Sequence, residues 1–546
     1  MKKTALVITV ISVLFVSTVT GLHFFNMAKG TTIIVPDGYP TIQEAINNAA
    51  SGDTILVRSG VYYERITINK TVALIGENKE STIIDGNASG TVVEVTKDFV
   101  SISEFTIQNS GDYPSNLIKL NSNGNNITNN VLRNSGDRGI EVNFVNNTVA
   151  DNQITNTFYG ILLMHSSGNN ILRNNVSFST NGIMLYEGCT DNFVYANNIS
   201  NNNRGIYIGP VPAGGSSQIS YYNTVSDNNV FNNDNGIMVG GASFNTILIN
   251  NTIWNNDWGI YLQGTRYNFA LGNNITKNEL GIYMDGECNS TSFSHNNFIN
   301  NNRQIENRAG AFRLPISWDG GYPFGGNYWS DYQVKDIYSG LNQNITGSDG
   351  IGDVPYIIDL NSKDNYPFMV PCEKIRDLNQ IFTVFSNSTV TEQYFEAQNQ
   401  SLSFTATGPD GTNGYFEVFF AESLLANSST ITVILDGKQM EYDIVSMGDS
   451  GVLTANYNHS AHKITVNFAY VSSPTTTPSP TSTPAPTLFP SSQPNPAPST
   501  TPTFPTPSPE PQPNPAPFAT ILFAIASASL ATISIGLIVY FKKRKH

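Results

Sequence analysis

The sequence predicts an all-β chain built around a right-handed parallel β-helix, and three observations carry that expectation. A Gly-Ile pair recurs at Gly139, Gly160, Gly182, Gly205, Gly236, Gly259 and Gly281, with steps of 21, 22, 23, 31, 23 and 22. An Asn marker keeps the same phase at Asn130, Asn152, Asn175, Asn198, Asn229, Asn251, Asn274 and Asn297. Both markers take their long step where Pro210 to Ser220 inserts a loop. The apolar runs between markers alternate with period two and show no helical spacing. A short fixed period with that pattern means a solenoid of short strands. Leucine-rich repeats share the period, but their Leu spacing is absent.

Each coil would carry three short strands, and stacked coils would pair in parallel at ~4.8 Å. Gly is expected to supply positive φ at turns. Asn at one corner in successive coils can stack into an amide ladder. One coil cannot bury its own core, so the stack has to. The first open end needs a cap. Thr41-Ile42-Gln43-Glu44 reads as a capping box, and Ile42, Ala45, Ile46 and Ala49 make one apolar helix face. Strands are expected near Thr54–Val57, Ile66–Ile68, Val72–Ile75 and Thr82–Ile84. The β-helix with its cap is placed at 31–314, and a Gly/Asp-rich closing segment at 315–371.

The remaining segments read by composition. Lys2 and Lys3 before an apolar run make 1–28 a signal sequence or an N-terminal anchor. Residues 472–517 are rich in Pro, Thr and Ser and form a stalk, reaching on the order of 130 Å at ~3.1 Å per residue. Residues 518–541 carry no charge and are long enough to span a bilayer. The basic tail 542–546 then lies inside and the bulk of the chain outside, giving a single-pass surface protein. Sequons at Asn69, Asn87, Asn126, Asn175, Asn198, Asn274, Asn344, Asn387 and Asn427 fit a glycoprotein.

Charge and cysteine count exclude several classes. The net charge is −14, which argues against nucleic acid as a partner. Charged residues are 13% of the chain, about half the usual ~25%, so solubility rests on uncharged polar groups. Three Cys exclude a disulfide scaffold and a four-Cys zinc site. Neither G-x-S-x-G, H-E-x-x-H, a P-loop nor C-x-x-C occurs.

The opening stretch VPDGYPTIQEAINNAASGDTILVRSGVYYERITINKTVALIG resembles the start of parallel β-helix proteins of the NosD type, and more distantly of pectin methylesterases. The repeats and the closing GGNYWSDY, GSDGIGDVPYIID and DNYPFM also resemble NosD-like proteins, so the likeness covers about 31–371. It implies the β-helix fold and, for activity, an accessory role in copper-enzyme maturation. The catalytic Asp and Arg motifs of the methylesterases do not follow. Residues 375–471, with GPDGTNGYFEVFF, VILDG and NYNHSAHKITVNF, resemble a β-sandwich module of archaeal surface proteins.

Register directs the search for a site. Two residues after each repeat Gly, side chains are expected to point outward. That column reads Glu141, Leu162, Met184, Tyr207, Met238, Tyr261 and Tyr283. An exposed apolar stripe marks a binding surface, and Tyr faces suit sugar rings. Tyr207, Tyr261, Tyr283, Met184 and Met238 are therefore candidate ligand-binding residues, or else a stripe covered by a loop or a domain. His165 and Glu187 share a column on adjacent coils. They form a candidate acid–base or metal pair, with Met164, Tyr186 and Cys189 nearby, a set that suits copper. Asp331, Asp336, Asp349, Asp353 and Asp364 offer hard oxygen ligands for Ca²⁺, or simply form turns. Cys189 and Cys288 share a column but stand four coils apart, on the order of 19 Å, so Cys189 is expected to be a free thiol. The leading functional expectation is a surface-tethered, non-catalytic protein binding glycans or other cell-envelope ligands. A polysaccharide hydrolase or lyase and a NosD-like copper accessory are the alternatives.

Overall fold

The computed structural model describes residues 30–210, 218–308, 316–322, 324–372, 375–376, 381–396, 399–421, 430–446 and 450–469. The expected signal sequence, stalk, membrane span and basic tail lie outside them. Among the described residues no helix is long and apolar enough to cross a membrane.

Three parallel sheets of 12, 11 and 12 strands wrap one interior. The first runs from Thr32–Val35 to Ser292–Ser294, the second from Ile66–Ile68 to Arg303–Asn307, and the third from Gly60–Tyr62 to Tyr328–Trp329. The pairing is in phase coil after coil. Ile140, Ile161, Ile183, Ile206, Ile237, Ile260 and Ile282 are consecutive partners. These Ile side chains point inward, and a continuous Ile/Val/Leu column fills the interior. Thr32–Val35 and Gly60–Tyr62 are additional strands that weak alternation concealed.

A short helix, α1 (Ile42–Asn48), closes the first end. The Thr41 side chain accepts the Glu44 N–H, as the capping box requires. The reciprocal half differs, because the Glu64 carboxylate accepts the Ile42 and Gln43 N–H groups, each at 3.0 Å. At the other end of α1, Lys70 donates to the carbonyls of Asn47 and Ala49, both at 2.6 Å. The opposite end of the solenoid is plugged by aromatic stacking. Phe293 lies 4.4 Å from Trp318, and Trp329 lies 4.2 Å from both Phe298 and Tyr356.

The corners hold buried amide ladders. In the longest, Asn130, Asn152, Asn174, Asn197, Asn228, Asn251, Asn273, Asn296 and Asn327 follow one another. Each Oδ1 accepts the preceding rung's side-chain and backbone N–H at 2.8–3.1 Å. The Asn marker read from sequence therefore slips by one. Asn175, Asn198, Asn229, Asn274 and Asn297 stand one residue beyond the ladder, at strand starts. The repeat glycines also have a different cause from the expected one. They lie in strands, and none has positive φ. What excludes a side chain is the next coil: a Cβ on Gly139 would stand 2.4 Å from the Gly160 carbonyl oxygen, and one on Gly205 2.5 Å from that of Gly236. Positive φ falls instead on the residue before the ladder, as at Asn129, Asp151, Arg173 and Ala196.

Beyond the solenoid, residues 375–469 contribute two five-stranded sheets with antiparallel neighbours. Phe382, Phe404, Phe416, Val433, Ile464 and Phe468 belong to their shared core. Tyr415 points the other way. It joins Ile247, Ile249, Leu271 and Phe368, and its hydroxyl donates to the Phe324 carbonyl at 2.9 Å.

Candidate functional site

The column Leu162, Met184, Tyr207, Met238, Tyr261 forms a cluster separate from the solenoid interior, on the outer face of the second sheet. The expected exposure does not hold. Met184 and Tyr207 are 2% exposed, Met238 5% and Tyr261 9%; only Tyr283 is half-buried. The reason is lateral cover. Tyr159, Met164, Tyr186, Trp258 and Tyr283 pack against the column, and Trp258 meets Tyr261 edge-on at 5.1 Å. Tyr207 is further tied by its hydroxyl to the Pro210 carbonyl. Burial pushes the Tyr207 and Tyr261 hydroxyls up to about 12. These side chains are a second hydrophobic layer, and the accessible surface belongs to their neighbours.

That surface opens at the start of the column into a cleft of ≈420 Å³, lined by Tyr113, Asp137, Arg138, Phe158, Tyr159 and Tyr186 together with Leu162, Met164 and Met184. Tyr113 is 77% exposed and Phe158 45%, whereas Asp137 is only 3% exposed. The Asp137 backbone carbonyl accepts the N–H groups of Phe158 and Tyr159, both at 2.9 Å, which fixes the acid beside the two rings. Its carboxylate lies 3.2 Å from Arg138 Nε, yet Oδ2 makes no hydrogen bond. Desolvation raises the Asp137 pKa above the ordinary value, partly offset by the Arg138 charge. Arg138 also pairs with Glu141, which Lys119 approaches at 3.8 Å and Asn143 bonds at 2.6 Å. Tyr113, Asp137, Arg138, Phe158 and Tyr159 escaped the sequence reading. The signal lay in the spacing: Val93 pairs with Ile118, a step of 25, whereas Ile118 pairs with Ile140, a step of 22. The longer coil carries Tyr113.

His165 and Glu187 are neighbours through the backbone, the His165 N–H donating to the Glu187 carbonyl at 3.1 Å. Both have positive φ, 48° and 38°. No hydrogen bond or ion pair joins their side chains among the described residues. Met164 pairs with Tyr186 in register, but the Cys189 thiol is buried and donates to the carbonyls of Leu163 and Tyr186. Burial pushes that thiol up to about 11, which disfavours the thiolate a soft metal requires. Cys189, Cys288 and Cys372 are all free.

The five Asp residues do not converge. Asp331 accepts from Gln304 and from the Tyr356 hydroxyl, beside a polar cleft of ≈550 Å³ at the closing end. Asp353 accepts the Ile337 and Tyr338 N–H groups, and Asp336 those of Asp349 and Gly350. Burial raises Asp336 to about 6. Asp349 accepts the Gly340 and Ile351 N–H groups. Asp364, fully buried, accepts from the Asn327 and Tyr366 backbones and from the Trp329 indole, and burial pushes it up to about 7. Backbone N–H groups occupy the acceptors of four of the five, and side-chain donors those of Asp331. Among the described residues no three His, Cys, Asp or Glu side chains come together as a metal-holding set. The sequon at Asn387 is buried, its amide donating to the Asp349 and Asn413 carbonyls.

Comparison with known proteins sets this chain in a family. Pectinesterase A of Dickeya chrysanthemi is 35% identical over 109 residues, which are 16% of this chain and 30% of that protein. The homologous enzyme of Dickeya dadantii matches to the same extent. The chain thus spans less than a third of the length of these curated relatives. Among solved structures, the A-module of mannuronan C-5 epimerase AlgE6 from Azotobacter vinelandii shares 16% identity with a TM-score of 0.37, covering 50% of this chain and 92% of that one. The Dettilon tailspike protein shares 13% with a TM-score of 0.40, covering 80% and 93%. The family model described as periplasmic copper-binding protein (NosD) matches residues 46–211 and 211–334. Those stretches span more than half of the 546 residues, so the chain belongs to the NosD family.

Proposed function

We propose that this protein is a surface-tethered β-helix that binds glycans or other cell-envelope carbohydrate without cleaving it. The observation that carries the reading is the cleft on the second sheet, where aromatic rings and a buried Asp–Arg pair share one concave surface. Sugar rings present C–H faces to aromatics and hydroxyls to polar groups, which is the combination found here. Cleavage by paired carboxylates would need two acids free to act on one bond. Glu141, the nearest second acid to Arg138, is occupied by Arg138, Lys119 and Asn143. The two relatives named above as pectinesterases are in keeping with a carbohydrate ligand. On this reading the two five-stranded sheets form a β-sandwich spacer, the stalk follows it, and residues 518–541 hold the chain in the membrane with the solenoid outside.

A glycan array probed with the chain, run beside a reducing-end release assay on the same polysaccharides, tests this. Retention without product supports the reading. Product release moves it to the enzyme class, and absence of any retention ends it.

Family membership favours a second reading, an accessory in copper-enzyme maturation. The residues nominated from sequence do not fit a copper site: the His165 and Glu187 side chains do not pair, and the Cys189 thiol is spent on two carbonyls inside the wall. No step through copper follows from these side chains. Equilibrium dialysis with Cu(I) and Cu(II) distinguishes the readings, since stoichiometric retention would restore the second.

A further inference from the structure

The charge of the cleft narrows its ligand. Arg138 is its one lining cation and Asp137 its one lining anion, and the two lie 3.2 Å apart. A polyuronate would need a guanidinium whose donors are free for a carboxylate. The Arg138 charge is already balanced by two carboxylates, Glu141 on one terminal nitrogen and Asp137 at 3.2 Å from Nε, although Nε itself makes no hydrogen bond. Lys119, the next cation, leans toward Glu141. Arg204 donates to Asn181 at 3.1 Å and sits over the Tyr207 ring, 5.6 Å from its centroid. Further anions stand close by. Glu187 bonds Tyr186, and the Asp112 carboxylate lies against the Gly136 backbone. The chain as a whole carries −14. A second polyanion approaching this face meets repulsion and no unpaired cation.

The acceptor left available is Asp137. It is nine-tenths buried and more, and its Oδ2 has the Arg138 charge beside it but no hydrogen bond. A hydroxyl group, which donates without bringing charge, satisfies such an acceptor at no electrostatic cost. The rings around it are graded from exposed to half-buried: Tyr113 at the rim, Phe158 beside it, Tyr159 and Tyr186 within.

We propose that this cleft selects uncharged polysaccharide over polyuronate, holding a neutral pyranose with its C–H face on the Tyr113, Phe158, Tyr159 and Tyr186 rings and a hydroxyl donating to Asp137. The inference rests on the carbohydrate-binding reading above and names the ligand class of that same site.

Affinity electrophoresis of the full chain through gels containing mannan, β-glucan or galactan, and in parallel polygalacturonate or alginate, tests it at ~0.15 M salt. Retardation by at least one neutral polymer and not by the polyuronates is expected. Tyr113→Ala, at a position 77% exposed, should weaken neutral-polymer binding about three- to ten-fold while leaving the unfolding midpoint in place. Asp137→Asn, which keeps the shape and removes the acceptor charge beside Arg138, should weaken neutral binding about ten-fold and let polyuronate begin to retard the chain. That gain is something a merely structural role would not produce. Retardation of the unaltered chain by polyuronate alone, or neutral binding untouched by both variants, overturns this inference and leaves the broader carbohydrate reading standing. Failure of every polymer to retard the chain overturns both.

Discussion

Asn174 and Asn175 are adjacent residues of one type with opposite surroundings, so they separate the ladder from mere composition. Asn174 is fully buried. Its Oδ1 accepts the Asn152 backbone and side-chain N–H groups, both at 3.1 Å. Its Nδ2 donates to the Val149 carbonyl at 2.8 Å and to Asn197 Oδ1 at 3.0 Å. Asn174→Ala removes four hydrogen bonds and leaves a backbone N–H, a carbonyl and a neighbouring amide unsatisfied in a dry corner. At ~1 kcal/mol per bond, rising where a buried group is orphaned, the loss should be about 3–5 kcal/mol. Asn175 is exposed and accepts a single 3.3 Å bond from Asn198, so Asn175→Ala should cost less than ~0.5 kcal/mol. Urea unfolding followed by far-ultraviolet circular dichroism reads the difference as a shift in midpoint at constant slope. Coincident midpoints for the two variants would refute the reasoning, since the ladder would then be ornament on a core that needs no help.

Other outcomes follow from the same structure. Gly205→Ala should destabilise by more than the usual helix or strand penalty, because its Cβ would lie 2.5 Å from the Gly236 carbonyl; a midpoint unchanged in thermal unfolding would count against the close-approach account. Mass spectrometry of unreduced, alkylated protein should recover Cys189, Cys288 and Cys372 unlinked, and a disulfide-linked Cys189 peptide would break the coil register. Glu417 is buried with Oε1 lacking a hydrogen bond, and desolvation raises it from 4.5 to about 8. A carboxyl raised on folding favours the folded state below pH 4.5 and loses that contribution as pH climbs through 8, so stability should fall across this window and Glu417→Gln should flatten the fall.

The solenoid was legible because its signals are multiplied. Ile140 alone says little, but seven Gly-Ile pairs in one phase specify strand, register and interior together. The helical cap was readable from a local rule, Thr41 against Glu44, that needs no tertiary context. Two questions needed the stack to answer them. Positive φ is a property of one residue, whereas the cause of the repeat glycines is the carbonyl of the next coil, which only stacking reveals. The Tyr207 and Tyr261 column reads from sequence as open or as covered, because alternation says which side of the sheet a side chain takes, and not whether Tyr159, Trp258 or Tyr283 will lean across it. The acidic closing segment offered too many candidates; four of its five carboxylates proved to accept backbone N–H groups, most of them distant in sequence, and Asp331 accepts from the Gln304 and Tyr356 side chains.

A repeating scaffold makes identical surroundings, and identical surroundings cannot single out a ligand. From Ile118 to Ile305 every coil of the second sheet offers the same inward Ile, and from Leu162 to Tyr283 each places a hydrophobic residue on its outer column. A site has to come from departures. One is the coil with a step of 25, whose additional residues bring Tyr113 to the edge of the sheet. Another is the outer column itself, which changes from Glu94, Lys119 and Glu141 to Leu162 and Met184, so that Arg138 has a carboxylate partner on its own strand. A third is Asp137, placed by the two backbone bonds it accepts from Phe158 and Tyr159 on the next coil. All three fall within a few ångströms along the stack because adjacent coils are ~4.8 Å apart. Polar groups, exposed rings and a concave wall therefore coincide where the period is broken, and the regular coils beyond supply the rigid backing against which that surface is held.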